Sequence, residues 1–140
     1  MDNVDVVRRI EAAWRDHDLD ALDALIDENY TPHTPGSSFL PPGLAGAKEG
    51  HEGSMQSFPD RQNEILDIFG AGDRVVAHVK MTGTNTGGVP WMNMPANGRE
   101  VDVDWITIYR LENGKVVETW AQMDVPKMMA QLGATPGGEG

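Results

Sequence analysis

From Val101 to Arg110 the chain alternates strictly, Val101, Val103, Trp105, Thr107 and Tyr109 interleaving with Asp102, Asp104, Ile106, Ile108 and Arg110. A period of two gives two distinct faces only in a strand, and the first face here is β-branched or aromatic throughout. Glu112-Asn113-Gly114-Lys115 follows, and Asn-Gly tolerates the positive φ that a tight hairpin turn demands. Val116 to Met123 then runs back as the partner strand. The stretch from Arg99 to Asp124 is thus a long antiparallel hairpin, and the other elements are expected to lie against it.

A second hairpin is predicted from Gln62 to Phe69 and Arg74 to Gly83, around the turn Gly70-Ala71-Gly72-Asp73. Val75, Ala77, Val79 and Met81 form its drier face, Val76, His78, Lys80 and Thr82 its wetter one. At the N-terminus Val4, Val7, Ile10 (with Glu11) and Trp14 fall near helical spacing among Arg8, Arg9 and Arg15, which predicts an amphipathic helix from Asp2 to Arg15. Asp18 reads as the N-cap of a second helix that buries Leu22, Leu25 and Ile26 and stops at Asn29 and Pro32. Tyr30 to Pro42 holds four prolines and reads as an irregular loop of the kind that lines sites. Leu44 to Ser57 reads as a third helix in spite of Gly46, Gly50 and Gly53, each of which costs up to about 1 kcal/mol against alanine. Asn85 to Asn97 is an apolar insertion around Trp91, Met92 and Met94. Asp124 stands where it caps a helix from Val125 to Leu132, and residues 134–140 close the chain as a tail with no reason to order.

At 140 residues the chain is expected to form one domain with one core, burying roughly two-thirds of its unfolded surface. Twenty-two acidic residues against eleven Lys and Arg, a net charge of −11, argue against nucleic acid as a partner. No run of about 18 apolar residues exists, and the acidic, amphipathic N-terminus is unlike a signal peptide, so a cytoplasmic location and no membrane partner are expected. The absence of cysteine removes disulfides, thiolate nucleophiles and Cys-based metal sites.

The hairpin sequence Ile106-Thr107-Ile108-Tyr109-Arg110-Leu111-Glu112-Asn113-Gly114-Lys115-Val116-Val117-Glu118-Thr119-Trp120, then Asp124 and Gln131-Leu132-Gly133, resembles the C-terminal half of the SnoaL-like polyketide cyclases. Phe58-Pro59-Asp60 and Gly83-Thr84-Asn85-Thr86-Gly87 resemble two further signatures of that family. The resemblance implies an α+β fold, the cone of nuclear transport factor 2, with three or four helices and a curved antiparallel sheet enclosing a pocket. It also implies strand parity, with Val103, Trp105, Thr107, Tyr109, Thr119, Ala121 and Met123 facing that pocket.

In the SnoaL-type cyclases an aspartate on the strand after the Gly-Lys turn is the acid/base of aldol closure, and counting without gaps puts Ala121 at its position. A substrate-polarising histidine of the preceding strand corresponds to Thr107, and a polar loop residue to His33. Proton abstraction next to a carbonyl needs a positioned base and a donor. Ala121 supplies neither, so His33, with Tyr30 or Asp124, is the candidate catalytic set. Trp91, Met92, Met94, Trp105, Thr107, Tyr109, Thr119 and Ala121 are the candidate substrate-binding residues. His51 reads as an exposed polar residue, and His17 and His78 as surface positions. Asp102 and Asp104 read as a solvated or dimer-facing edge, so no metal is expected, and no organic cofactor either. Three functions remain open: an acid/base cyclase or isomerase for a hydrophobic polyketide-like molecule, a pericyclic cyclase that works by cavity shape, and a non-catalytic ligand-binding domain. A homodimer through the outer face of the sheet is the expected assembly.

Overall fold

The computed structural model describes residues 2–35 and 37–133, so the expected tail at 134–140 lies outside the described residues. Helix α1, Asn3–Arg15, starts where the Asp2 carboxylate accepts from the Asp5 N–H at 2.8 Å, satisfying one of the first-turn donors. It buries Val6, Val7, Ile10 and Ala13. Among the described residues five strands form one curved sheet in the order β1-β5-β4-β3-β2, with β1 at Ile26–His33, β2 at Gln62–Ala71, β3 at Arg74–Thr84, β4 at Glu100–Glu112 and β5 at Lys115–Met123. All pairings are antiparallel except β1 with β5. Both predicted hairpins are present, and Asn113 and Gly114 both take positive φ, 53° and 77°, in the second turn. Helix α2, Gly43–Ser57, packs against β1, and α3, Val125–Gln131, against β4. The fold is the α+β cone that the resemblance implied.

The predicted second helix does not form. Leu19–Ala24 is a 3₁₀ turn in which the Asp18 side chain caps nothing, and the chain then leaves as strand β1. The reason is tertiary. The Val116 N–H donates to the Leu25 carbonyl at 3.0 Å, and β5 offers Ile26 and Thr31–His33 a parallel partner that a local helix would forgo. Tyr30 and His33 therefore sit on an ordered strand, not in a loop. Pro32 is tolerated because β1 is an edge strand, where a missing N–H breaks no ladder on the open side.

The glycines of α2 are explained by what crosses it. A Cβ on Gly46 would stand 1.7 Å from the Pro41 carbonyl oxygen, and one on Gly50 2.8 Å from Leu40 Cδ1. The Leu40-Pro41 segment lies directly on the helix, so the propensity lost at glycine is exchanged for a close approach of backbones. The family-like signatures act in the same structural way. The Asp60 carboxylate accepts from the Thr84 N–H and the Thr84 hydroxyl, both at 2.7 Å, clamping the end of β3 to the turn after α2, with Phe58 packed under Gly83.

Candidate functional site

The concave face of the sheet, α1 and α2 enclose a cavity of about 840 Å³. The inward row of the central hairpin forms its floor: Trp105 pairs with Met123, Thr107 with Ala121 and Tyr109 with Thr119. Strict alternation sends these side chains to one face because the register is held by antiparallel pairing on both sides of β4. Ile10 and Trp14 of α1 and Tyr30 of β1 complete the walls. Phe39, 71% exposed, marks the solvent side of the lining.

The floor is mostly apolar, while α2 and the residues after it add polar side chains, Glu49, His51, Glu52, Ser54, Arg61 and Asn63 among them. Glu11, on the buried side of α1, is the only buried carboxyl among the described residues, and it receives a 2.6 Å hydrogen bond from the Tyr109 hydroxyl. Burial raises its proton affinity above the usual carboxylate value, while the Tyr109 bond and the Arg61 charge pull the other way without cancelling the rise. Burial likewise holds the Tyr109 phenol protonated well above its usual range and pushes the Tyr30 phenol up to about 12, so both remain hydrogen-bond donors near neutrality. His51 of α2 is buried against the Trp14 ring at 4.8 Å, its Nε2 3.1 Å from His17 Nδ1. Burial first, then the charges of Arg61 and His17, lower it to about 4, so a neutral imidazole lines the cavity. Arg61 follows α2, its guanidinium hydrogen-bonded to Asn63 and Ser54.

The expected catalytic set is not brought together. His33 points to the outer face of the sheet, where its Nε2 meets Glu118 Oε2 at 2.8 Å and its ring stacks on Trp120 at 5.4 Å. Neighbouring residues on a strand face opposite ways, so Pro32 lines the cavity and His33 cannot. Asp124 lies outside the cavity lining and caps α3, accepting from the Lys127 N–H at 3.0 Å. Tyr30 does line the cavity, as do Trp91, Trp105, Thr107, Tyr109, Thr119 and Ala121. Met92 and Met94 do not. They pack with the second core cluster of Phe58, Met81, Val101, Val103 and Leu132, and Met94 bridges back to Val89. His51, expected on the surface, is a buried cavity residue because α2 turns that side toward Trp14. Asp102 and Asp104 do face outward, paired with Lys80 and His78.

Sequence reasoning passed over Glu11, His51 and Arg61 as cavity groups. Only Glu11 left a signal, a carboxylate between Ile10 and Trp14 on the apolar side of a helix.

The family model described as SnoaL-like polyketide cyclase matches residues 4–132. No curated protein matches the chain by sequence. Among solved structures, TsrD of Streptomyces laurentii is similar at 25% identity over 92% of each chain, with a TM-score of 0.81. IdmH of Streptomyces antibioticus, a candidate polyketide cyclase, is similar at 28% identity over 96% of this chain and all of its own, with a TM-score of 0.80. AclR of Streptomyces galilaeus, a candidate hydroxylase, is similar at 25% identity over 96% of this chain and 97% of its own, with a TM-score of 0.79.

Proposed function

The chain belongs to the SnoaL-like polyketide cyclase family, and from that premise we propose that it closes a ring, or moves a double bond, in a hydrophobic polyketide-like molecule by acid/base chemistry centred on Glu11. The observation that carries this reading is the Glu11–Tyr109 pair at the cavity wall. A carboxyl whose proton affinity is raised above the usual carboxylate value is suited to take a proton from carbon and return it. The position that corresponds to the family's aspartate is Ala121, which lines the same cavity and brings no proton-transfer group.

In the proposed cycle the Glu11 carboxylate removes a proton from carbon next to a ligand carbonyl, and the C–H electrons pass to the carbonyl oxygen. Tyr30 stands on the cavity wall as a neutral phenol able to donate to the developing enolate. The enolate carbon then attacks a second carbonyl of the same ligand, a C–C bond forms, and the new alkoxide recovers the proton from Glu11. Reactant and product have equal mass, and no cofactor enters the balance. The cavity contributes by holding the reacting ends close.

The test is incubation with linear and aromatic polyketide intermediates, followed by product mass analysis, on the wild type and Glu11→Gln. An isomer of unchanged mass, formed at least about 100-fold more slowly by Glu11→Gln, supports the reading. Conversion that survives the substitution instead favours closure by cavity shape, and binding without conversion favours a ligand-binding domain. The proposed assembly remains a homodimer through the outer face. The supporting observation is a cross-strand row of Phe69, Val76, Ile108, Trp120 and His33 that runs over all five strands there.

A further inference from the structure

Of the eleven Lys and Arg in this chain, Arg61 alone lines the cavity among the described residues. Its Nε and Nη2 donate to Asn63 Oδ1 at 3.2 and 3.0 Å, and its Nη1 donates to Ser54 Oγ. These acceptors are neutral, and the ion pairs formed among the described residues do not include Arg61. Glu11 attracts it from beyond ion-pair distance, yet burial still weakens its hold on the proton. A guanidinium taken out of water is costly unless an anion meets it. It has five N–H donors, so the three bonds described leave one N–H on each Nη. A carboxylate has two oxygens that accept such a pair side by side.

The rest of the molecule does not attract anions. Its net charge is −11, and a field of that sign repels them at a distance. The lone cation is therefore local to the cavity, and Asn63 and Ser54 hold its plane in place before any ligand arrives. We propose that Arg61 binds a carboxylate carried by the ligand, which makes the substrate class an apolar carboxylic acid. The proposal rests on the reading of the cavity as a ligand site. The acid's charged end docks between Asn63 and Ser54, and its apolar body lies toward Phe58, Met81 and Trp105. The docked charge also raises the proton affinity of Glu11 further, which strengthens it as a base.

Fluorescence titration of the wild type at pH 8 with 9-anthracenecarboxylic acid, its methyl ester and its primary amide tests this. The acid is expected to bind at least about tenfold more tightly than either neutral analogue. The preference shrinks in Arg61→Lys, which keeps the charge but not the fork, and disappears in Arg61→Gln. Thermal melts check that both variants are folded, and the wild-type comparison needs no variant. Equal affinity for acid and ester in the wild type, or a preference that persists in Arg61→Gln, overturns the anion anchor and leaves the cavity reading standing. Binding of none of the three overturns both.

Discussion

The Tyr109 hydroxyl donates to Glu11 Oε1 at 2.6 Å, joining β4 to the buried side of α1 across 98 positions of sequence. Because burial raises the folded-state proton affinity of Glu11 above its unfolded value, its contribution to stability is greatest in acid and is lost as pH rises through the folded pKa. Thermal melts from pH 4.5 to 8 are expected to show Glu11→Gln gaining on the wild type toward pH 8. Tyr109→Phe removes the donor and leaves the carboxyl unsatisfied, costing about 1–3 kcal/mol.

His51 has the opposite sign. Its folded pKa lies at about 4 against an ordinary 6.5, under burial and the nearby charges of Arg61 and His17. Between those values the unfolded chain takes up a proton that the folded chain refuses, so stability is lost as pH falls through that window. Denaturant titrations of the wild type and His51→Asn at pH 4.5 and 7 check it: the acid-induced loss is expected to be smaller in the variant.

His33→Phe is expected to leave turnover within about twofold of the wild type, since a neighbour on the opposite strand face does not reach a ligand. The wild-type ring is engaged with Glu118 and Trp120 outside the cavity. Steady-state kinetics beside Glu11→Gln checks the contrast, and a large loss in His33→Phe would return the base to the outer face.

Gly46→Ala is expected to destabilise the protein by about 1–3 kcal/mol although alanine is the better helix former, because the added methyl overpacks the contact. Its Cβ would stand 1.7 Å from a backbone oxygen of Pro41. Gly53→Ala, where a Cβ meets nothing within 4 Å, is the control. It is expected to gain up to about 1 kcal/mol in denaturant melts.

Ile108→Glu tests the proposed dimer. Ile108 is 37% exposed at the centre of the outer row, between Val76 and Trp120. Light scattering after size exclusion is expected to give twice the chain mass for the wild type and the single-chain mass for the variant, with its melting temperature little changed at high dilution.

The two hairpins were legible in the sequence because alternation and the Asn-Gly turn are local and agree with each other. Of the residues that the family resemblance implied would face the pocket, Trp105, Thr107, Tyr109, Thr119, Ala121 and Met123 line the cavity, since a period of two sends them to one face, while Val103 on the same face packs into the second core cluster instead. The stretch after Asp18 was misread for the converse reason. Leu22, Leu25 and Ile26 fit a helix locally, but the backbone of Ile26–His33 is paired by β5, almost ninety residues downstream.

What the sequence determined alone is the framework: strand faces, turns, the amphipathic helix α1 and the Asp124-capped helix α3, with the α+β fold implied by the family resemblance. What tertiary structure decided is the chemistry. Glu11, His51, Arg61 and Tyr109 come from a helix, a second helix, a turn and a strand, and no periodicity records that they meet. Their proton affinities follow from burial and from one another's charges, which exist only after the sheet has curved and the helices have closed over it.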